Sequence, residues 1–368
     1  MFNMKHICFS IILVLFCLAG IAQAPKYSNE FLNLGVSARA FAMGNAQVAI
    51  VDDITSGYWN PAGLRLMKPK AQFSFMHSEY FGGISKYDYA GVGYNINSNS
   101  AAGITFIRFG TDNIPNTTEL IDNQGNFDYS KITPFSAADV AILLSYAHSF
   151  NHIKDFSIGG NVKIIRRTIG KFAGCWGFGL DFGAQYMIKK WRMGLMLRDV
   201  TSTFNAWNFN LSDRMKEVFL ETGNSLPENG LELTLPKAIM GVGRNCEFGK
   251  GFNGTFTLDL AFTFDGRRNS LVSSKALNID PQFGLELAFK RIVALRAGLG
   301  NFQRETDFLG KKRFSCQINF GVGVGIKDIV TIDYAFTDIG NLSIAVYSHV
   351  FSLKIAIDRF KKTVETPN

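Results

Sequence analysis

The sequence predicts an all-β fold: a transmembrane antiparallel β-barrel of about fourteen strands, with an N-terminal segment folded inside as a plug on the periplasmic side. Three observations lead there. Of the 368 residues 47% are hydrophobic, yet no stretch past the N-terminus reaches the roughly 18 apolar residues that a spanning helix needs. From about residue 72 the apolar residues recur at every second position, the period of a strand with one apolar face. The connections between these segments alternate short and long, as in barrels with tight turns at one end and loops at the other. With 34 Phe, 36 Gly, 9 Pro and 18% charged residues, disordered and collagen-like chains are excluded.

Taken in order, Lys5 and His6 precede an apolar run from Ile7 to Ile21, followed by Gly20, Ala22 and Ala24 at small-residue positions. This is the pattern of a secretory signal peptide, residues 1–22, too short and wrongly flanked for an anchor. Cys17 follows bulky Phe16, which argues against a lipoprotein. Residues 23–70 form the hatch or plug. Ser37 to Ala46 is rich in small residues, and Asp52 and Asp53 precede a short helix. Pro61 fixes its own φ and keeps Asn60 out of the helical region, so the chain turns there. Asn60 can cap that turn, and Gly63 permits close backbone packing. A rigid turn filling the lumen base is preferred over a movable element.

The wall occupies residues 71–360. Strands are expected at 72–81, 86–95, 101–110, 139–149, 155–166, 174–188, 190–199, 236–246, 252–264, 279–290, 292–300, 313–326, 329–337 and 341–358. The cleanest alternation runs from Phe252 to Asp265, where even positions are Phe, Gly, Leu and odd ones mostly polar or small. A soluble sandwich also alternates, but its large residues would be buried. Here the apolar face is crowded with Phe, Trp and Tyr and the other face carries Gly and isolated charges, which suits lipid outside and a polar interior. Connections at 96–100, 150–154, 189, 247–251, 291 and 327–328 are short; those at 111–138, 200–235, 265–278 and 301–312 are long. Both termini then lie in the periplasm, with 361–368 as a tail. Alternation turns Asp181, Asp259, Asp280, Glu286 and Asp333 inward, together with Arg192, Arg198, Arg296 and Lys354. Paired charges bracing the wall are preferred over a solute path, because unpaired buried ions are costly.

The formal net charge of +8 falls to about +7 without the leader and is spread over scattered pairs such as Lys189-Lys190 and Arg267-Arg268, a pattern that calls for no nucleic acid. Cys175, Cys246 and Cys316 have no metal-ligand spacing. No cofactor is implied. Ser145 and His148 lie on opposite faces of one strand, and His77 with Glu79 is a commonplace pair, so the chain reads as a non-enzyme.

One motif is specific. Val36 to Ala46 contains Arg39 and Gly44; Asp52-Asp53 follows, then Tyr58-Trp59-Asn60-Pro61-Ala62-Gly63-Leu64. An Asn-Pro-Ala-Gly core just before the first strand resembles the hatch of FadL-type outer-membrane barrels. The longer form resembles the PorV/PorQ family of the type IX secretion system, closest to a PorV-like variant. Fragments such as Leu180-Asp181-Phe182-Gly183, Leu295-Arg296-Ala297-Gly298 and Asp333-Tyr334-Ala335-Phe336 extend the likeness over the mature chain. The resemblance implies a fourteen-stranded barrel in the outer membrane that binds or shuttles secreted cargo through C-terminal sorting signals, with secretion components as partners beside the outer-membrane lipid. The alternative is a FadL-like channel for hydrophobic small molecules.

Overall fold

The computed structural model describes residues 28–121, 124–306, 310–339 and 348–358. The signal peptide, the tail and the expected strand start at 341–347 lie outside the described residues. Seventeen strands form one antiparallel sheet: β1 (Ala71–Tyr80), β2 (Ser85–Asn95), β3 (Ser100–Asn116), β4 (Thr133–Ser149), β5 (Phe156–Ile169), β6 (Ala173–Ile188), β7 (Trp191–Arg198), β8 (Thr203–Phe209), β9 (Gly230–Thr234), β10 (Lys237–Gly249), β11 (Phe252–Thr263), β12 (Val272–Ser273), β13 (Asn278–Phe289), β14 (Val293–Thr306), β15 (Lys312–Ile326), β16 (Val330–Ile339) and β17 (Ser348–Ile357). Fourteen of them make the wall, and pairing of β1 with β17, from Ala71↔Ile357 to Ser78↔Val350, closes it. Closure leaves no unpaired edge, the condition for a sheet to cross lipid.

The strands form where alternation dictates. On β6 the outward side chains are Trp176, Phe178, Leu180, Phe182, Tyr186 and Ile188, all exposed, while Cys175, Asp181 and Gln185 are buried inside. Tight turns close the opposite end. Lys327-Asp328 has φ of 51° and 55°, the conformation of a two-residue hairpin turn that continues the strand twist.

At the loop end the strands run further than the alternation predicted. Residues 111–116 and 133–138, expected as loop, extend β3 and β4 past a bulge at Thr111/Ile114. The expected loop 200–235 holds β8, β9 and a helix, Asp213–Glu221, capped by Ser212. Asp199 and Ser202, at φ 55° and 56°, break the chain after β7; β8 then pairs with the loop-end half of β6. The expected loop 301–312 likewise gives up residues to β14 and β15. Above the apolar band water meets both faces, so pairing no longer requires one face to be apolar.

The core is the lumen. Residues 28–67 pack inside the barrel, with Val36, Ala38, Ala42, Met43, Ile54, Ala62 and Leu64 fully buried. The segment is not confined to the turn end. Ser28 and Asn29 bond Thr234 at the loop end, and the Met67 carbonyl accepts from Asn95 at the turn end. Lumen glycines explain how it fits: a Cβ on Gly298 would stand 2.1 Å from Gly44 N, and one on Gly183 2.1 Å from Asn60 Oδ1. The termini themselves lie outside the described residues.

Candidate functional site: the lumen segment and its charged contacts

The Asn-Pro-Ala-Gly turn is the knot of the segment. A short helix, Ser56–Trp59, ends at Asn60, whose extended backbone (φ −164°, ψ 104°) leads into the 3-10 turn Pro61–Leu66. Asn60 Oδ1 accepts from Ala62 N at 3.2 Å, and Nδ2 donates to the carbonyls of Val48 (2.9 Å), Ala184 (3.1 Å) and Leu195 (3.3 Å). One fully buried amide thus ties the turn to another part of the segment and to two wall strands. Ala62 is sealed, and Gly63 lies so close to the Val51 carbonyl that a Cβ would stand 2.5 Å from it. Gly44 takes φ 63° against the backbone of Leu299 and Phe283.

Tyr58 and Trp59 knit the segment to itself. Tyr58 Oη donates to the Leu32 carbonyl (2.6 Å) and accepts from Gly35 N, while Trp59 Nε1 donates to the Val36 carbonyl (3.0 Å). From β7, Arg198 donates to the carbonyls of Leu32 and Tyr58 and lies 4.4 Å over the Tyr58 ring, a cation–π contact.

The charges form chains rather than isolated pairs. Arg39 makes a two-pronged contact with Glu286 (2.8 and 2.9 Å), Glu286 accepts from Arg296 (2.6 Å), and Arg296 reaches Asp333 (2.7 Å). Bidentate guanidinium–carboxylate contacts are strong and directional. Asp52 meets Arg192 at 3.1 Å, and Asp53 accepts from Lys354 at 2.7 Å and from Thr55 N at 2.9 Å. Burial alone would push the Asp53 carboxyl up; Lys354 and Arg39 override it and hold it at about 2. Burial likewise works against the Arg39 cation, but Glu286 more than offsets it and raises its pKa. Asp259 Oδ2 accepts from Gln47 N (2.7 Å) and Val48 N (2.8 Å).

Asp181 stands apart from this set. It pairs with Lys163 (2.9 Å), which also holds Asp199 (2.6 Å), at the break after β7. Sequence reasoning missed Lys163, Asp199 and Gln185; the alternation that turned Asp181 inward turns Lys163 and Gln185 inward too. It also missed Glu30–Arg268 (3.1 Å), a contact between the segment and a loop that no periodicity marks. Asp280 is not in the charge chains. It lines a recess of about 380 Å³ above the segment, with Lys237, Gln282, Asn301, Gln317 and Asn319. The recess is polar. At the rim beyond it Phe81, Ile84, Phe127, Tyr129, Leu220 and Leu231 are each at least 60% exposed.

Chemically, this arrangement binds the segment to the wall. Among the described residues no cluster of three or more His, Cys, Asp or Glu is placed to hold a metal.

No protein-family profile matches the chain, and no curated protein does. Solved structures do. The Pseudomonas putida toluene transporter TodX aligns at TM-score 0.55 and 12% identity over 87% of this chain and 98% of its own. The Ralstonia pickettii toluene transporter TbuX aligns at 0.51 and 12%, over 88% and 98%. A Pseudomonas aeruginosa FadL homologue aligns at 0.51 and 12%, over 87% and 98%. At this identity the likeness establishes the fold: a closed, fourteen-stranded FadL-like barrel.

Proposed function

We propose that the chain is an outer-membrane transport barrel, turn end in the periplasm, that receives a secreted protein at its loop end as an accessory of the type IX secretion system. The observation that carries this is a rim of exposed large apolar side chains above a lumen filled by a hydrogen-bonded segment. Exposed apolar groups rimmed by polar ones mark protein contact sites. The hatch motif from Arg39 to Gly63 supports the family reading. Affinity purification from the native outer membrane tests it. Secretion components or sorting-signal proteins co-purify under this reading and are lost when Phe127, Tyr129 and Leu231 are changed to Ser; their absence from the intact protein refutes it.

A second reading is a channel for hydrophobic small molecules. The fold shared with the toluene transporters favours it. The lumen lining favours the receptor, because Asp280, Gln282, Asn301, Gln317 and Asn319 offer a hydrocarbon little. Titration with toluene, read by the fluorescence of Trp59 in a chain with Trp176, Trp191 and Trp207 replaced by Phe, separates the two: saturable quenching supports the channel, and none supports the receptor.

A further inference from the structure

The outward apolar band is interrupted on one side. On β6 it runs from Trp176 to Ile188. On β1, β2 and β3 it runs only over Ala71–Phe75, Ala90–Tyr94 and Ala102–Phe106, before the outward positions turn to His77 and Glu79, Asp88 and Lys86, and Arg108. Five residues at ~3.3 Å and a tilt of ~40° give a height on the order of 12 Å, about half of the ~25 Å expected of such a wall. The polar groups above it are organised. His77 Nδ1 lies 2.7 Å from Asp88, Asp88 lies 3.6 Å from Arg108, and Arg108 lies 3.9 Å from Asp112. Just below, small Ala90 floors a groove of about 580 Å³ flanked by Phe75, Phe106 and Phe351.

Lipid is a poor partner for such a face, since charges on a lipid-facing wall are destabilising the deeper they lie. We propose that a second copy of this chain covers it. Register sets Ala90 beside Phe106 and Asp88 beside Arg108 on the neighbouring strands β2 and β3. A two-fold axis along the membrane normal, running between these strands, keeps both copies upright. It brings Phe106 of each onto the Ala90 groove of the other, and Arg108 of each opposite Asp88 of the other. Ridge meets groove and acid meets base under one operation, the self-complementarity that a two-fold interface requires.

Native mass spectrometry of the full chain from lipid nanodiscs tests this, with heat-modifiable gel migration confirming that every variant is folded. The wild type is expected at twice the chain mass. Asp88→Arg and Arg108→Asp each set like charges against one another and weaken association at least tenfold. The double swap, Asp88→Arg with Arg108→Asp, restores it. In intact membranes, with the native cysteines replaced by Ser, an Ala90→Cys chain and a Phe106→Cys chain cross-link to each other. A monomeric wild type, folded single reversals that leave the mass unchanged, or cross-linking of Phe106→Cys to another protein instead would overturn the proposal.

Discussion

Replacing Lys354 by Met probes how firmly the lumen segment is held. The amine donates to Asp53 at 2.7 Å, and the two side chains are 21% and 9% exposed. Removing one partner of a buried pair costs about 3–5 kcal/mol when the remaining charge is uncompensated; here Arg39 and Thr55 still support Asp53, so the loss falls below that range. The carboxyl points the same way: Lys354, Arg39 and Thr55 together hold it at about 2 instead of 3.8, which favours the charged form by roughly 2 kcal/mol at ~1.4 kcal/mol per pH unit. Lys354→Met should therefore lose about 2 kcal/mol. Asp53→Asn together with Lys354→Met should lose clearly less than the two singles added, because the stranded charge is gone. Denaturant unfolding in detergent, with hydrogen exchange at Thr55 N as the local probe, supplies all corners of the cycle. A loss under 1 kcal/mol for Lys354→Met, or additive singles, would refute the reasoning.

Three further outcomes follow from the same contacts. Asn60→Ala removes the buried amide that joins the carbonyls of Val48, Ala184 and Leu195, of which Val48 keeps Gln185 as donor, and should cost about 1–2 kcal/mol, seen as faster proteolysis within residues 45–66 while the wall stays resistant. Gly298→Val drives a side chain into Gly44, whose N lies 2.1 Å from the added Cβ; the segment should be expelled, exposing Tyr58 and Trp59 to a fluorescence quencher. For acid, the sign follows from a depressed carboxyl. The Asp53 contribution is present above about 3.8 and is lost as pH falls towards about 2, so hydrogen exchange at Thr55 should quicken over that window and stay flat above pH 5.

Much of this was legible in the residues. Wherever lipid lies outside and packed polar groups inside, each position must choose a face, so Trp176 to Ile188 or Phe252 to Thr263 announces its strand. The same logic placed Asp259, Glu286, Arg296 and Asp333 inside. It fell silent beyond the band: Thr111 to Asn116 includes Asn113 at φ 58° and Pro115, residues that read as loop, yet they pair with Thr133 to Ala137 because solvent on both sides tolerates either face. Asn60 reads as a local cap, yet its three carbonyl partners are 12, 124 and 135 residues away. Nor does alternation say which inward charges meet: the Arg39–Glu286–Arg296–Asp333 chain is set by strand register and by the path of the segment inside the wall. The break at Asp199 left only a small trace, an acid followed by β-branched Val200 and Thr201.

Residues 28–67, bonded to the wall through buried groups, are expected to close the lumen. Ion conductance of the purified wild-type barrel in a planar lipid bilayer tests it most directly. A closed baseline is expected for the wild type, with stable openings once Gly298→Val expels the segment; a steady open conductance through the wild type would show that the segment does not close the lumen.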